Sequence, residues 1–143
     1  LICLTDMLAT CADILGVELP EQVAEDSVSI CPTLLGDPLQ SVRSEVIHHS
    51  INGKFAIRQE GWKLEVCAGS GGWTLDDAVA QQRGLPDMQL YHIAADVVER
   101  YNLVQQYPER VASMLKVLTE QVQRGRTTPG VSSGNDVPVR IHK

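Results

Sequence analysis

Four cysteines, two adjacent histidines and two adjacent aspartates are the residues whose types could do chemistry in this chain. The cysteines are Cys3, Cys11, Cys31 and Cys67. There is no C-x-x-C pair and no His/Cys cluster at zinc spacing. On a helix, Cys11 reads as a small buried apolar residue. Their number does not demand a disulfide framework, so the redox compartment stays open. His48 and His49 fall on an expected strand, where neighbours face opposite sides and cannot chelate one ion together. Asp76-Asp77 reads as the start of a helical turn rather than a reactive carboxylate pair. Trp73 lies on a glycine-rich loop, where an indole can cover a sheet edge or meet a ligand. Trp62 reads as core.

The elements that must position these residues follow from the spacing. Leu1 to Leu4 reads as an apolar strand, with no Met or charged lead-in, cut from something larger. Asp6 caps a helix whose apolar residues Met7, Leu8, Cys11, Ile14 and Leu15 share a face, and Gly16 ends it. Val17 to Pro38 reads as an extended connection with a helical turn around Val28 to Leu35. From Ser44 the period becomes two. Glu45 to Ile51 is a strand, Asn52-Gly53 a hairpin turn, and Lys54 to Gln59 the partner strand. Glu60-Gly61 turns again into Trp62 to Cys67. Arg58 and Lys63 should pair with Glu45, Glu60 or Glu65 across the strands. Gly69 to Gly72 reads as a flexible link, Leu75 to Gln82 as a helical turn, and Met88 to Ile93 as a fourth strand. Pro108 opens the clearest helix, with Val111, Met114, Leu115, Leu118 and Val122 on one stripe and Gly125 at its end. The Thr-, Ser- and Gly-rich tail from Arg126 reads as flexible.

The composition sets limits. The chain has 143 residues, a 43% hydrophobic share and a formal net charge of -6, which suits one soluble domain and argues against a nucleic-acid surface. No apolar run approaches the roughly 20 residues of a membrane span.

Several segments together resemble the C-terminal region of sulfatases, in the arylsulfatase-like branch of the alkaline-phosphatase superfamily. Thr5-Asp6-Met7-Leu8-Ala9-Thr10 with Ala12 to Gly16 resembles the family's "D-L-x-x-T-x-x-x-L-x-G" helix. Glu25 to Ser29 with Leu34-Leu35-Gly36 is similar to "D-G-x-S-L-x-P-L-L-x-G". Phe55 to Arg58 and Gly61 to Leu64 resemble the "A-I-R-x-G-x-W-K-L" hairpin. Leu90-Tyr91, Asp96, Glu99, Asn102 and Leu103 resemble "L-Y-D-L-x-x-D-P-x-E-x-x-N-L". Arg124 to Gly130 resembles a tail of bacterial members. His92 departs from the usual Asp or Asn, Val97-Val98 from a Pro-Gly turn, and Cys31-Pro32 from Leu-Pro.

The resemblance implies an α+β unit, a four-stranded antiparallel sheet packed against a C-terminal helix, preceded by a strand-helix remnant of a larger α/β domain. Residues 1–40 would be the tail of that domain, 41–125 the sheet-and-helix subdomain, and 126–143 a flexible tail. It implies hydrolysis of sulfate esters by the intact enzyme. The formylglycine, made in a C/S-x-P-x-R motif, and the calcium would lie in an N-terminal part; neither Cys31-Pro32-Thr33 nor Cys67-Ala68-Gly69 fits that motif. The chain alone would then be inactive. Its share of the substrate cleft would fall to His48, His49, Ser50, Asn52, Lys54 and Trp73, since imidazole, hydroxyl, ammonium and indole groups suit a sulfated sugar or aryl ring. Its partners would be the N-terminal sulfatase domain and the sulfate-ester substrate, with self-association through the uncovered apolar surface. Family members are often exported. The competing reading is a stand-alone, non-catalytic binding module that kept the sheet.

Overall fold

The change of period at Ser44 marks the sheet. The computed structural model describes residues 1–36 and 42–142. Its elements are a 3₁₀ turn at Leu4–Asp6, α1 (Met7–Leu15), α2 (Cys31–Leu34), β1 (Glu45–His49), β2 (Phe55–Gln59), β3 (Trp62–Glu65), α3 (Asp77–Gln82), β4 (Gln89–His92) and α4 (Pro108–Arg124). The strands form one sheet in the order β1-β2-β3-β4. The β2–β3 and β3–β4 pairs are antiparallel, with Ile57 opposite Leu64 and Leu64 opposite Leu90. This is the expected α+β architecture. Pro38 and the expected boundary near residue 40 lie outside the described residues.

The chain divides into two compact units, 1–46 with 120–138, and 47–119 with 139–143. In the second, Ile57, Leu64 and Leu90 are fully buried and form the central row of the sheet. Burying such side chains contributes about 1.5–3 kcal/mol each. Met114 and Leu118 of α4 are equally buried, as the stripe predicts. Arg110 of α4 lies 5.7 Å from the centre of the Trp62 ring. Trp62 shares its face with Leu64 by strand alternation, so the helix starts over that apolar row.

In the first unit the sequence reading needs three corrections. Leu1 to Leu4 is not a strand; the chain turns through 3₁₀ geometry instead. Asp6 does not cap α1 with its side chain. It is wholly buried, accepts from the N–H groups of Cys3 and Val28, and pairs with Arg43. The buried side of α1 carries Thr10 and Ala12. The expected apolar face is exposed, at 51% for Leu8 and 75% for Leu15, and Cys11 is exposed with it. Periodicity located the stripe but did not say whether anything within the chain covers it.

The segment after Gly125 also differs from a loose tail. Arg126 and Thr128 are buried. The N–H groups of Thr127 and Thr128 donate to the Glu25 carbonyl at 3.2 and 3.0 Å. Arg126 donates to the Thr128 hydroxyl and to the Val131 carbonyl. A guanidinium satisfied in this way fixes the backbone around it.

Candidate functional site at the hairpin tip

Asn52-Gly53 forms a tight turn because Gly53 accepts a φ of 67°. Ser50 N–H donates to the Lys54 carbonyl at 2.9 Å, and the Ser50 hydroxyl accepts from Lys54 N–H at 3.1 Å. The tip then meets the glycine-rich loop. Asn52 N–H donates to the Gly71 carbonyl at 3.3 Å. At Gly71, φ is 68° and an added Cβ would stand 2.5 Å from the Ser50 Cβ. Only glycine lets the two loops approach so closely.

The glycine run is not a flexible link. The Ser70 hydroxyl accepts from the N–H groups of Trp73, Thr74 and Leu75, at 3.2, 2.7 and 2.8 Å. One side-chain oxygen thereby organises the loop that carries Trp73. The indole itself is 74% exposed. Asp76 caps α3 by accepting from Ala78 N–H at 2.8 Å, as the carboxylate pair suggested. Asp77 accepts from Gly69 N–H at 2.8 Å and pairs with Lys54. Burial pushes the Asp77 carboxyl upward, but Lys54 and the Gly69 N–H outweigh it and hold it below its ordinary value. The Lys54 charge is therefore already engaged within the chain.

Of the six candidate residues, Ser50, Asn52, Lys54 and Trp73 sit on these two touching loops. His49 stands beside them, exposed, its ring edge-on to Phe55 with centroids 4.3 Å apart. His48 turns to the other face of the sheet, as alternation demands. There it meets Lys63, Arg58 and Glu65. Burial, then the Lys63 charge, lowers its pKa below 6.5. Lys63 binds Glu65 at 2.5 Å and Glu99 at 2.7 Å. Burial alone would lower its pKa, but these two hydrogen bonds prevail and raise it. Tyr91 is pushed up to about 12 by burial and by Glu65, and its hydroxyl donates to Gln89 at 2.7 Å. This face is an ion-pair network that rigidifies the strands. Lys63 pairs with Glu65, but along its own strand rather than across strands as expected. Glu99, which lies outside the strands, was not foreseen.

Nothing at the tip pairs a nucleophile with a base. Cys67, beneath the loop, is buried, and burial with Glu65 and Asp77 raises its thiol pKa. A buried thiol held protonated is inert. Among the described residues, no group of three or more His, Cys, Asp or Glu side chains could hold a metal ion. None of the described helices is long and apolar enough to cross a membrane. The tip carries hydroxyl, amide and indole groups on a braced frame. Sequence reasoning missed the bracing role of Ser70 and the pairing of Asp77 with Lys54. The run Gly69-Ser70-Gly71-Gly72 was the available signal, since a serine flanked by glycines is free to turn its hydroxyl onto nearby N–H groups.

No protein-family model matches the chain. It is 30% identical over 116 residues to an N-acetylgalactosamine-6-O-sulfatase of Bacteroides thetaiotaomicron, covering 79% of this chain and 22% of that protein. It thus spans about a fifth of that relative's length. A solved Bacteroides thetaiotaomicron structure, described under the metabolism of multiple glycosaminoglycans, superposes with a TM-score of 0.65 at 30% identity. The match covers 80% of this chain and 24% of that one. A 2-O GAG sulfatase shares the fold, with a TM-score of 0.58 at 21% identity over 83% of this chain and 24% of its own.

Proposed function

We propose that this chain, which resembles the C-terminal region of sulfatases in sequence and fold, serves a sulfuric ester hydrolase as scaffold and as part of its substrate cleft. The reading is carried by the joined hairpin tip and glycine-rich loop, which bring Ser50, Asn52 and Trp73 to one end of the sheet. Hydroxyl and amide groups beside an open indole suit a sugar ring. The names of the relatives make a sulfated N-acetylhexosamine the substrate class to test first.

Residues 1–40 then act as the tail of the large domain and 41–125 as the substrate-facing subdomain. The exposed apolar side of α1, with Leu34 and Leu35 beyond it, supports this division. Surface of that kind normally meets another body. The N-terminal sulfatase domain is that body, and copies of the chain would self-associate in its absence. The formylglycine and calcium belong to that domain; when present they supply the nucleophile and the charge that neutralises sulfate. This chain's residues hold and orient the sugar and keep water from its face.

The test compares the chain alone with a protein extended upstream through the catalytic motif, using N-acetylgalactosamine 6-sulfate. Sulfate release by the extended protein only, reduced by Trp73→Ala through KM, supports the reading. Release by the 143-residue chain alone, or an extended protein indifferent to Trp73 and Asn52 substitutions, would overturn it. An upstream sequence without the motif would favour a non-catalytic binding module.

A further inference from the structure

An opening lies at the end of the sheet opposite the hairpin tip. It is a solvent-open cavity of about 590 Å³, within the range of roughly 300–1,000 Å³ typical of ligand sites. Trp62, His92, Asp96, Arg100, Tyr101 and Tyr107 border it. Trp62 was expected in the core; it is only half-buried, because it stands at the mouth of this cavity. Its ring lies 4.6 Å from that of His92 and 5.1 Å from that of Tyr107. These contacts fix the indole as a rigid wall. Tyr101 is 69% exposed, so its ring is open to a guest in the cavity it borders.

The polar groups are placed as deliberately as the rings. Asp96 accepts from the N–H groups of Arg100 and Tyr101 at 2.7 and 2.9 Å, which sets the curve of the loop. A carboxylate has about four acceptor sites, so two such bonds leave capacity for a ligand hydroxyl. Arg100 adds donors in a planar fork. His92 can donate or accept. His92, Val97 and Val98, all on the lining, are also positions where the sequence departs from the pattern described above.

We infer that this cavity binds a saccharide ring, separately from the hairpin tip. A pyranose has an apolar C–H face that suits Trp62, Tyr101 and Tyr107. Its hydroxyls radiate from the edge and suit Asp96, Arg100 and His92. A purely apolar guest would leave the carboxylate and guanidinium without use, and a bare anion would leave the three rings without use. The strand β2 separates this cavity from the hairpin tip by roughly 16 Å, from five residues at about 3.3 Å each. One sugar ring cannot fill both, so the cavity takes its own ring, whether or not the tip meets substrate.

The experiment uses the full 143-residue chain and N-acetylgalactosamine itself. The two tryptophans give two indole N–H signals, assigned with Trp62→Phe and Trp73→Phe. Millimolar sugar should move the Trp62 signal along a saturating curve. Tyr101→Ala, at an exposed position that leaves the core intact, should weaken binding roughly fivefold or more, as expected for a lost stacking ring. A Trp62 signal that stays still overturns the inference. So does binding indifferent to Tyr101→Ala. Movement of Trp73 alone also overturns it, while leaving the tip's role standing.

Discussion

The two ends of the sheet solve the placing of an aromatic side chain in opposite ways. At the hairpin tip, Trp73 is held only through its backbone: the Ser70 hydroxyl takes three N–H groups and the indole stays in solvent. At the far end, Trp62 is held by its ring, between His92 and Tyr107 and under Arg110. The first arrangement fixes a loop and leaves a side chain free to adapt. The second fixes the side chain and shapes a cavity around it. Backbone bracing depends on glycine and one hydroxyl; ring bracing depends on packed area.

That contrast can be broken from either side. The largest effect is expected for Trp62→Ala, which removes a half-buried ring and its contacts with His92, Tyr107 and Arg110. We expect a loss of about 3 kcal/mol in urea unfolding, with hydrogen-exchange protection falling near His92 and Tyr107 but kept at Asn52. Gly71→Ala should cost about 2 kcal/mol, since it combines a left-handed φ with a clash against Ser50. Here the protection lost should be at Asn52, with Trp62 undisturbed. Ser70→Ala removes one acceptor shared by three donors at a solvated loop, for about 1 kcal/mol. Its sharper readout is Trp73, whose indole signal should broaden while that of Trp62 stays narrow.

The smallest effect tests the sheet face between the two ends. Because burial lowers the pKa of His48, its neutral form is favoured in the folded state. That contribution is present above pH 6.5 and is lost as the pH falls below it. His48→Gln should flatten the fall in Tm between pH 7 and 5 and leave both indole signals in place. A fall of unchanged steepness would move the effect to other groups.

The sequence was most legible where structure is local. Asn52-Gly53 specifies a hairpin by the φ its residues accept. Pro108 and the Val111 stripe specify α4 by period. The Asp76-Asp77 pair marked the start of α3, and the structure gives the cap to Asp76. What stayed hidden was every arrangement between distant segments. The α1 stripe gave a face but not its covering. Glu99 reaches Lys63 across 36 positions. Arg126 to Thr128 read as tail because nothing local shows that Glu25 awaits them. Lys54 looked available for an anion because Asp77 is distant in sequence. Trp62 looked like core because alternation assigns a face without saying how far the helix above it extends.

The docking of Thr127 and Thr128 on Glu25 has a bearing on how the chain is made. A ribosome delivers residue 25 about a hundred residues before residue 127, a separation of 101 positions for the Asp26 bond to Thr127. The β2–β3 hairpin can close as soon as its own residues emerge, since its ends are neighbours. The first unit cannot. Its early half must wait for residues 127 and 128 before the Glu25 carbonyl and the Asp26 side chain find these partners. The hairpin in the middle of the chain can therefore fold before the two distant segments that close the first unit meet.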